Sequence, residues 1–368
     1  MNIYAERLTR VRSSMDDLGL DTMILTPGAG MRYLTGFDEP AHERLLAVVV
    51  SQTHDPIFLT PSLNAAQVRA NAAEIDDVRM WDDADGWEKL LHDVCVDEAL
   101  DLGIVALDDN MPARFALTIQ QLLPTTILKL AGPALAAQRA CKDTLELASM
   151  QHAADATDAL IAPALSACVV GASELDVALA IGRGLAEAGA EPSFEAIIGA
   201  GPNGASPHHH TGKTRLRRGD VVVLDFGARV EGYCGDITRV AAVGEASDQA
   251  REVYDVVYRA HKAAFDAVQP GATAHDVDAA ARQVIHDAGY GEFFIHRTGH
   301  GIGLDEHEEP FIVAGSRTRL APGHCFSIEP GIYLPGQFGV RLENIVTVTE
   351  DGTARAFNQP IPPELPVL

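Results

Sequence analysis

With 368 residues the chain is long enough for two hydrophobic cores, and 47% hydrophobic against 22% charged residues excludes a collagen-like or disordered chain. A formal net charge of −24 argues against nucleic acid or an anionic membrane as partner, because phosphate is bound through lysine and arginine, and it favours cationic cofactors. No apolar run approaches the roughly 20 residues of a membrane span, and the opening MNIYAERLTRVRSSMDDLGL lacks the apolar core of a secretory signal. The five cysteines are odd in number, widely spaced and without a CxxC pair, which suits a reducing compartment, so a cytoplasmic protein is expected.

Residues 1–131 alternate helical stretches with the short apolar segments DTMILT, LLAVVVS, PIFLT, GIVALD and TILKL, the pattern of a compact α/β domain. Gly132-Pro133 marks the expected boundary, with a second domain over 132–368. From residue 142 the chain reads as helix, and two helix openings stand 100 residues apart, Gly171-Ala172-Ser173 with Asp176 and Gly271-Ala272-Thr273 with Asp276. Each sets a Ser or Thr N-cap three residues before an acidic side chain, so free helix N–H groups are satisfied reciprocally. Between them, residues 248–268 place Val253, Val256, Val257, Ala260, Ala264 and Val268 at helical spacing, one apolar face for covering a sheet. Each helical pair is followed by a hairpin, which predicts two similar halves whose hairpins join in one sheet.

The hairpins carry the chemistry. Asp225 interrupts the apolar run VVVLDFGARV, Asp236 follows in GYCGDITRVAAV, and their midpoint falls at the turn near Val230-Glu231-Gly232. Across an antiparallel pair they would lie opposite, Cβ atoms about 5 Å apart. Likewise Glu329 in FSIEPGIYL and Glu343 in VRLENIVTV have their midpoint at Gly336. A carboxylate in a buried strand needs a partner, and opposed carboxylates repel unless a cation lies between them. His300 in HRTGHGIGLDEHEEP is flanked by glycines at 299, 301 and 303 that would let the backbone approach a ligand. Four carboxylates and one imidazole form a hard anionic nest suited to two divalent cations, and hence to hydrolysis. Arg341, two residues before Glu343 on the same strand, shares its face and would either orient the carboxylates or form an ordinary ion pair.

In order and spacing, LDFGARVEGYCGDITR, TGHGIGLDEHEEP, SIEPGIY and VRLEN resemble the pita-bread metallopeptidases, the group of methionine aminopeptidases, prolidases, aminopeptidase P and creatinase. Tyr33-Leu34-Thr35-Gly36-Phe37 is similar to a segment of the prolidase and aminopeptidase P branch, which carries an extra N-terminal domain. The resemblance implies an α/β N-terminal domain before an α+β pita-bread catalytic domain with pseudo-twofold halves, and a homodimer. It implies that Asp225 holds one metal, that Asp236 and Glu343 bridge two, and that His300 and Glu329 complete the second, with Mn2+ the first candidate and Co2+ or Zn2+ as alternatives. Glu329 would also carry the proton to the leaving nitrogen, His208 and His307 would support the substrate carbonyl, and His296 matches a further histidine beside the substrate.

The substrates implied are short peptides with proline at the second position. Some prolidases place an arginine shortly after the HExP segment to hold a dipeptide carboxylate, and Phe311 stands there in this chain. That leans the expectation toward an Xaa-Pro aminopeptidase of the aminopeptidase P type over an Xaa-Pro dipeptidase, with Arg297 or Arg317 as possible replacements. A hydrolase of other small amides or osmolytes, and a non-enzymatic binding module, are the lesser alternatives.

Overall fold

The computed structural model describes residues 3–40, 42–73, 75–98 and 103–368. Two compact units divide between Arg139 and Ala140. Gly132-Pro133, the expected boundary, opens the helix Gly132–Ala140, whose Ala134 and Leu135 are buried, with Leu135 against Gly30. The division therefore lies at the far end of this helix.

The first unit is a six-stranded mixed sheet of β1 (Thr22–Leu25), β2 (Ala47–Ser51), β3 (Ile57–Pro61), β4 (Asp77–Trp81), β5 (Ile104–Leu107) and β6 (Ile127–Leu130), in the order β4-β3-β2-β1-β5-β6. β1, β2 and β3 are buried along their whole length, as their continuous apolar runs require. They pack with Trp87, Phe115 and Ile119 in one core. β4, DVRMW, has no counterpart among the expected strands, because an edge strand that buries only its last residue shows no apolar run. Tyr33-Leu34-Thr35 ends the helix Ala29–Thr35, and Gly36 caps it in the left-handed region (φ 71°) with its N–H on the Arg32 carbonyl.

The second unit is built twice over. Glu174–Glu187 is capped by Ser173 and Asp176 and Ala274–Asp287 by Thr273 and Asp276, both as full capping boxes. Each cap residue also bridges a later strand segment, Ser173 to Arg215 and Thr273 to Arg319. The long helix Asp248–Asp266 buries Val253, Val256, Val257, Ala260 and Ala264 against the second half's strands. The first half contributes the sheet Ile237–Ala242, Val221–Phe226, Ile197–Ala200; the second contributes five strands centred on Cys325–Ile328. Contrary to expectation the hairpins do not merge into one sheet: the halves meet where the Glu343 N–H donates to the Thr238 carbonyl (3.2 Å) and the Arg239 guanidinium to the Glu343 carbonyl.

Candidate metal centre

Turn geometry decides which acids face one another. In the first hairpin Val230 pairs with Tyr233 across Glu231-Gly232, both with positive φ (51° and 80°), the signature of a two-residue type I′ turn. Asp225 therefore lies opposite Thr238, not Asp236, and the two aspartates are offset along the ladder. In the second hairpin Gly331 pairs with Arg341 and Ile328 with Asn344, so Glu329 and Glu343 are directly opposed.

His300 stands in the strand Gly299–Gly301 and is 3% exposed, its Nε2 3.3 Å from Glu329 Oε1 and 3.8 Å from Asp236 Oδ2. Its Nδ1 donates to the Gly301 carbonyl (3.1 Å), and burial lowers its pKa to about 3, so a neutral imidazole turns its lone pair toward the acids. The flanking glycines make room for the chain itself rather than for a ligand: a Cβ at Gly299 would overlap the Ser327 carbonyl and one at Gly301 the Glu309 carbonyl.

One ligand atom each from Asp236, His300 and Glu343 lie within 4.8 Å of one another. Burial first, and then the neighbouring carboxylates, raise Asp236 and Glu343 far above the usual range; burial also raises Asp225 and lifts Glu329 to about 7. Asp225 Oδ1, Asp236 Oδ1 and Glu343 Oε1 are buried without a hydrogen-bond partner. A dry cluster of like charges with three unused acceptors is stable only with protons or cations in it, and oxygen donors with one imidazole fit divalent metal.

Arg341 donates to Asp225 Oδ2 (2.6 Å), Tyr333 Oη (2.9 Å) and Thr238 Oγ1 (3.0 Å), and Thr238 in turn donates to Glu343 Oε2 (2.7 Å). Arg341 therefore pairs with Asp225 and is linked through Thr238 to Glu343. Tyr333, which the sequence did not single out, lies 2.8 Å from His296 Nε2; because His296 Nδ1 faces the Arg297 carbonyl (2.7 Å), the phenol donates to the imidazole.

The acids open on a cavity of about 500 Å³, lined on its apolar side by Phe194, Ile197 and Pro207 and elsewhere by His208, His296, Arg297, Glu306 and His307. His307 stacks edge-on against His300, ring centres 4.1 Å apart. Of the three consecutive histidines, His208 lines the cavity, while His209 Nε2 turns away to Glu174 Oε2 (2.9 Å). Glu174 is fully buried and also accepts from Ala200 N (2.9 Å), Asn203 Nδ2 (2.8 Å) and Gly212 N (3.1 Å), fixing the loop that carries His208. Its counterpart in the second half, fully buried Asp278, accepts from Thr298 N (3.1 Å) and Oγ1 (2.8 Å) just before His300. A buried ion pair, Lys142 to Glu308 (2.6 Å), anchors the residue after His307. Glu306 is a cavity acid the sequence reading missed; adjacent acidic residues at 305 to 309 gave no signal that one faces inward.

A buried carboxylate and imidazole cluster at the meeting of two helix-backed hairpins defines a metal-dependent hydrolase. The chain belongs to metallopeptidase family M24, whose model matches residues 148–350, and residues 7–141 match the Creatinase/Prolidase N-terminal domain. It is similar to a probable dipeptidase PepE of Mycobacterium tuberculosis, 40% identical over 97% of this chain and 95% of the relative, and to an Xaa-Pro dipeptidase of Lactobacillus delbrueckii subsp. lactis, 33% identical over 94% and 95%. Among solved structures, a dipeptidase from Pyrococcus horikoshii OT3 superposes with a TM-score of 0.93 at 36% identity, covering 98% of this chain and 100% of that one. The protein is thus a hydrolase of a family that works with divalent metal ions. No helix among the described residues is long and apolar enough to cross a membrane.

Proposed function

We propose that this protein is a dinuclear-metal dipeptidase that cleaves the bond before proline in Xaa-Pro dipeptides. The observation that carries the reading is the buried cluster with three partnerless carboxylate oxygens, opening on a cavity of about 500 Å³, a size that suits a dipeptide. Preference for dipeptides is supported by the names of the relatives, and proline preference by those named Xaa-Pro dipeptidases. Phe311, where an arginine would clasp a dipeptide carboxylate, is the feature that favours the aminopeptidase P alternative.

In this reading Asp225, Asp236, His300, Glu329 and Glu343 would hold the two ions, Asp236 and Glu343 being shared between them. Bound there, divalent cations polarise a carbonyl and make water nucleophilic at neutral pH. Glu329 would serve as the proton carrier from the attacking water to the leaving proline nitrogen. His208 and His307 would face the substrate carbonyl across the cavity, and burial, with the nearby charge of Arg341, keeps His296 neutral beside them while Tyr333 donates to its Nε2. Arg341 holds Asp225 and, through Thr238, Glu343 in place. Manganese is the first metal in this proposal, ahead of cobalt and zinc, and the working form is a cytoplasmic homodimer.

The test is hydrolysis of an Xaa-Pro dipeptide and an Xaa-Pro-Yaa tripeptide in parallel by chelated protein reloaded with Mn2+, Co2+ or Zn2+. Cleavage of the dipeptide alone is the expected result. Release of the first residue from the tripeptide would establish the aminopeptidase P alternative, and metal uptake with neither cleavage would turn the search to other amides or osmolytes.

A further inference from the structure

We infer that Arg297 is the specificity-determining residue that clasps the C-terminal carboxylate of a dipeptide, with the Phe311 ring as the plate against which its guanidinium rests. The inference deepens the dipeptidase reading and rests on it.

A dipeptide brings a free carboxylate to within one residue of the bond being cut. Two divalent cations would be balanced by Asp225, Asp236, Glu329 and Glu343, and Glu306 adds a further negative charge to the lining, so the carboxylate of a dipeptide needs a cation of its own. Two guanidinium groups line the cavity. Arg341 is 4% exposed and committed to Asp225, Tyr333, Thr238 and the Pro207 carbonyl. Arg297 is half-buried and lies with its central carbon 4.4 Å from the centre of the Phe311 ring. Among the described residues its guanidinium has no hydrogen-bond or ion-pair partner. Arg317, the other replacement considered from sequence, is exposed and does not line the cavity.

Stacking engages the face of a guanidinium and leaves its in-plane N–H fork free, the geometry that matches a carboxylate in two parallel hydrogen bonds. Phe311 therefore changes meaning. As an isolated residue it removes a carboxylate ligand; beneath Arg297 it fixes the orientation of one supplied from the segment leading into the strand Gly299–Gly301. The backbone around Arg297 is held on both sides, by His296 Nδ1 on its carbonyl (2.7 Å) and by Asp278 on the N–H (3.1 Å) and hydroxyl (2.8 Å) of Thr298. Its charge also bears on His300, His307 and Glu329, so it lies within electrostatic range of the reacting end of the cavity. A fork held at a fixed place relative to the metal ligands acts as a ruler: a free carboxylate one residue beyond the scissile bond reaches it, and a longer peptide presents a neutral amide there.

The experiment compares wild-type protein, Arg297→Met, Arg297→Lys and Phe311→Leu, all loaded with the same divalent metal, on an Xaa-Pro dipeptide and on the same dipeptide with its carboxylate capped as an amide. Wild type is expected to favour the free dipeptide, chiefly through KM. In Arg297→Met the KM for the free dipeptide rises about 10- to 100-fold, the range for a lost charge-assisted hydrogen-bonded pair, while the KM for the amide changes far less, so that the preference collapses. Arg297→Lys restores part of the preference, a rescue that a merely structural role would not produce, and Phe311→Leu weakens it by several-fold. Metal content and melting temperature stay close to the wild-type values, since the only protein contact Arg297 gives up is its stacking on Phe311. If Arg297→Met kept the wild-type ratio of dipeptide to amide, the anchor would be overturned and the dipeptidase reading would stand. If wild type cleaved the amide as well as the dipeptide, or cleaved only tripeptides, both would fall. Should Arg297→Met not fold, an unaltered ratio in Arg297→Lys and Phe311→Leu together would overturn the anchor.

Discussion

In the first half of the second unit a two-residue turn at Glu231-Gly232 sets Asp225 opposite Thr238, whereas in the second half a turn around Gly336 sets Glu329 opposite Glu343. The helices preceding these hairpins carry the same capping boxes, so the divergence lies in the turn and not in the scaffold. The offset leaves Asp225 to Arg341 and aims Asp236 at His300, while the opposed glutamates compress their charge. A one-residue difference in where a hairpin turns thus gives Asp225 an arginine for one oxygen, while its other oxygen stays unpartnered among the acids that need cations. The halves also use different buried acids for one purpose: Glu174 holds the loop of His208, and Asp278 holds the segment of His296 and His300.

The strongest way to break this comparison is to remove, from each half, the acid proposed to be shared between the two metal ions. Asp236→Ala and Glu343→Ala are each expected to abolish dinuclear binding, read by metal titration, and to lower kcat/KM by at least about 1,000-fold, because metal catalysis supplies several kcal/mol of transition-state stabilisation. If either variant retained two metals and full activity, the halves would not share their ligands in this way.

A smaller effect reports the charge compressed in the second half. Glu329 is lifted from 4.5 to about 7, chiefly by burial, so the metal-free native state favours its protonated form. The associated stability is fully present below the unfolded value of 4.5 and is lost as pH rises through about 7. Chelated wild type should therefore lose on the order of 3 kcal/mol relative to Glu329→Gln between about pH 4.5 and 8, followed by denaturant melts. Adding divalent metal should reverse the order at pH 8, since the carboxylate then has a cation. Parallel pH profiles in the chelated pair would show that Glu329 is not under this strain.

The mildest substitutions sharpen the comparison instead of breaking it. Glu174→Gln turns an amide N–H₂ toward the Gly212 N–H, and Asp278→Asn does the same toward either Arg282 or Thr298; each should cost about 1–3 kcal/mol of stability. Their functional signatures should differ. Glu174→Gln is expected to lower kcat with metal affinity intact, because only His208 is loosened, whereas Asp278→Asn is expected to weaken metal affinity as well, because His300 follows Thr298 closely. Identical effects on metal affinity would mean that the two acids do not serve separate loops.

Much of this was legible in the chain. Asp225 stands out because it breaks a run of four apolar residues, and the paired caps at Ser173 and Thr273 are set by local hydrogen bonding alone. Both depend on neighbours a few residues away, whereas the strand expected to carry both Arg341 and Glu343 ends at Arg341 and the two are linked through Thr238. Strand β4 escaped because its burial is settled by the sheet it joins.

What only the tertiary structure decided is every relation between side chains brought together from distant segments. The left-handed backbone at Glu231 and Gly232 moved the partner of Asp225 from Asp236 to Thr238, and no residue pattern records that shift. His209 differs from His208 only in which of them meets Glu174, and Tyr333 becomes part of the site only through Arg341 and His296. Phe311 reads as a missing arginine until Arg297 is found lying on its ring. Residue type and spacing set the chemistry available to the chain, because those act locally; which groups are partnered, buried or left free is set by packing, which acts across the fold.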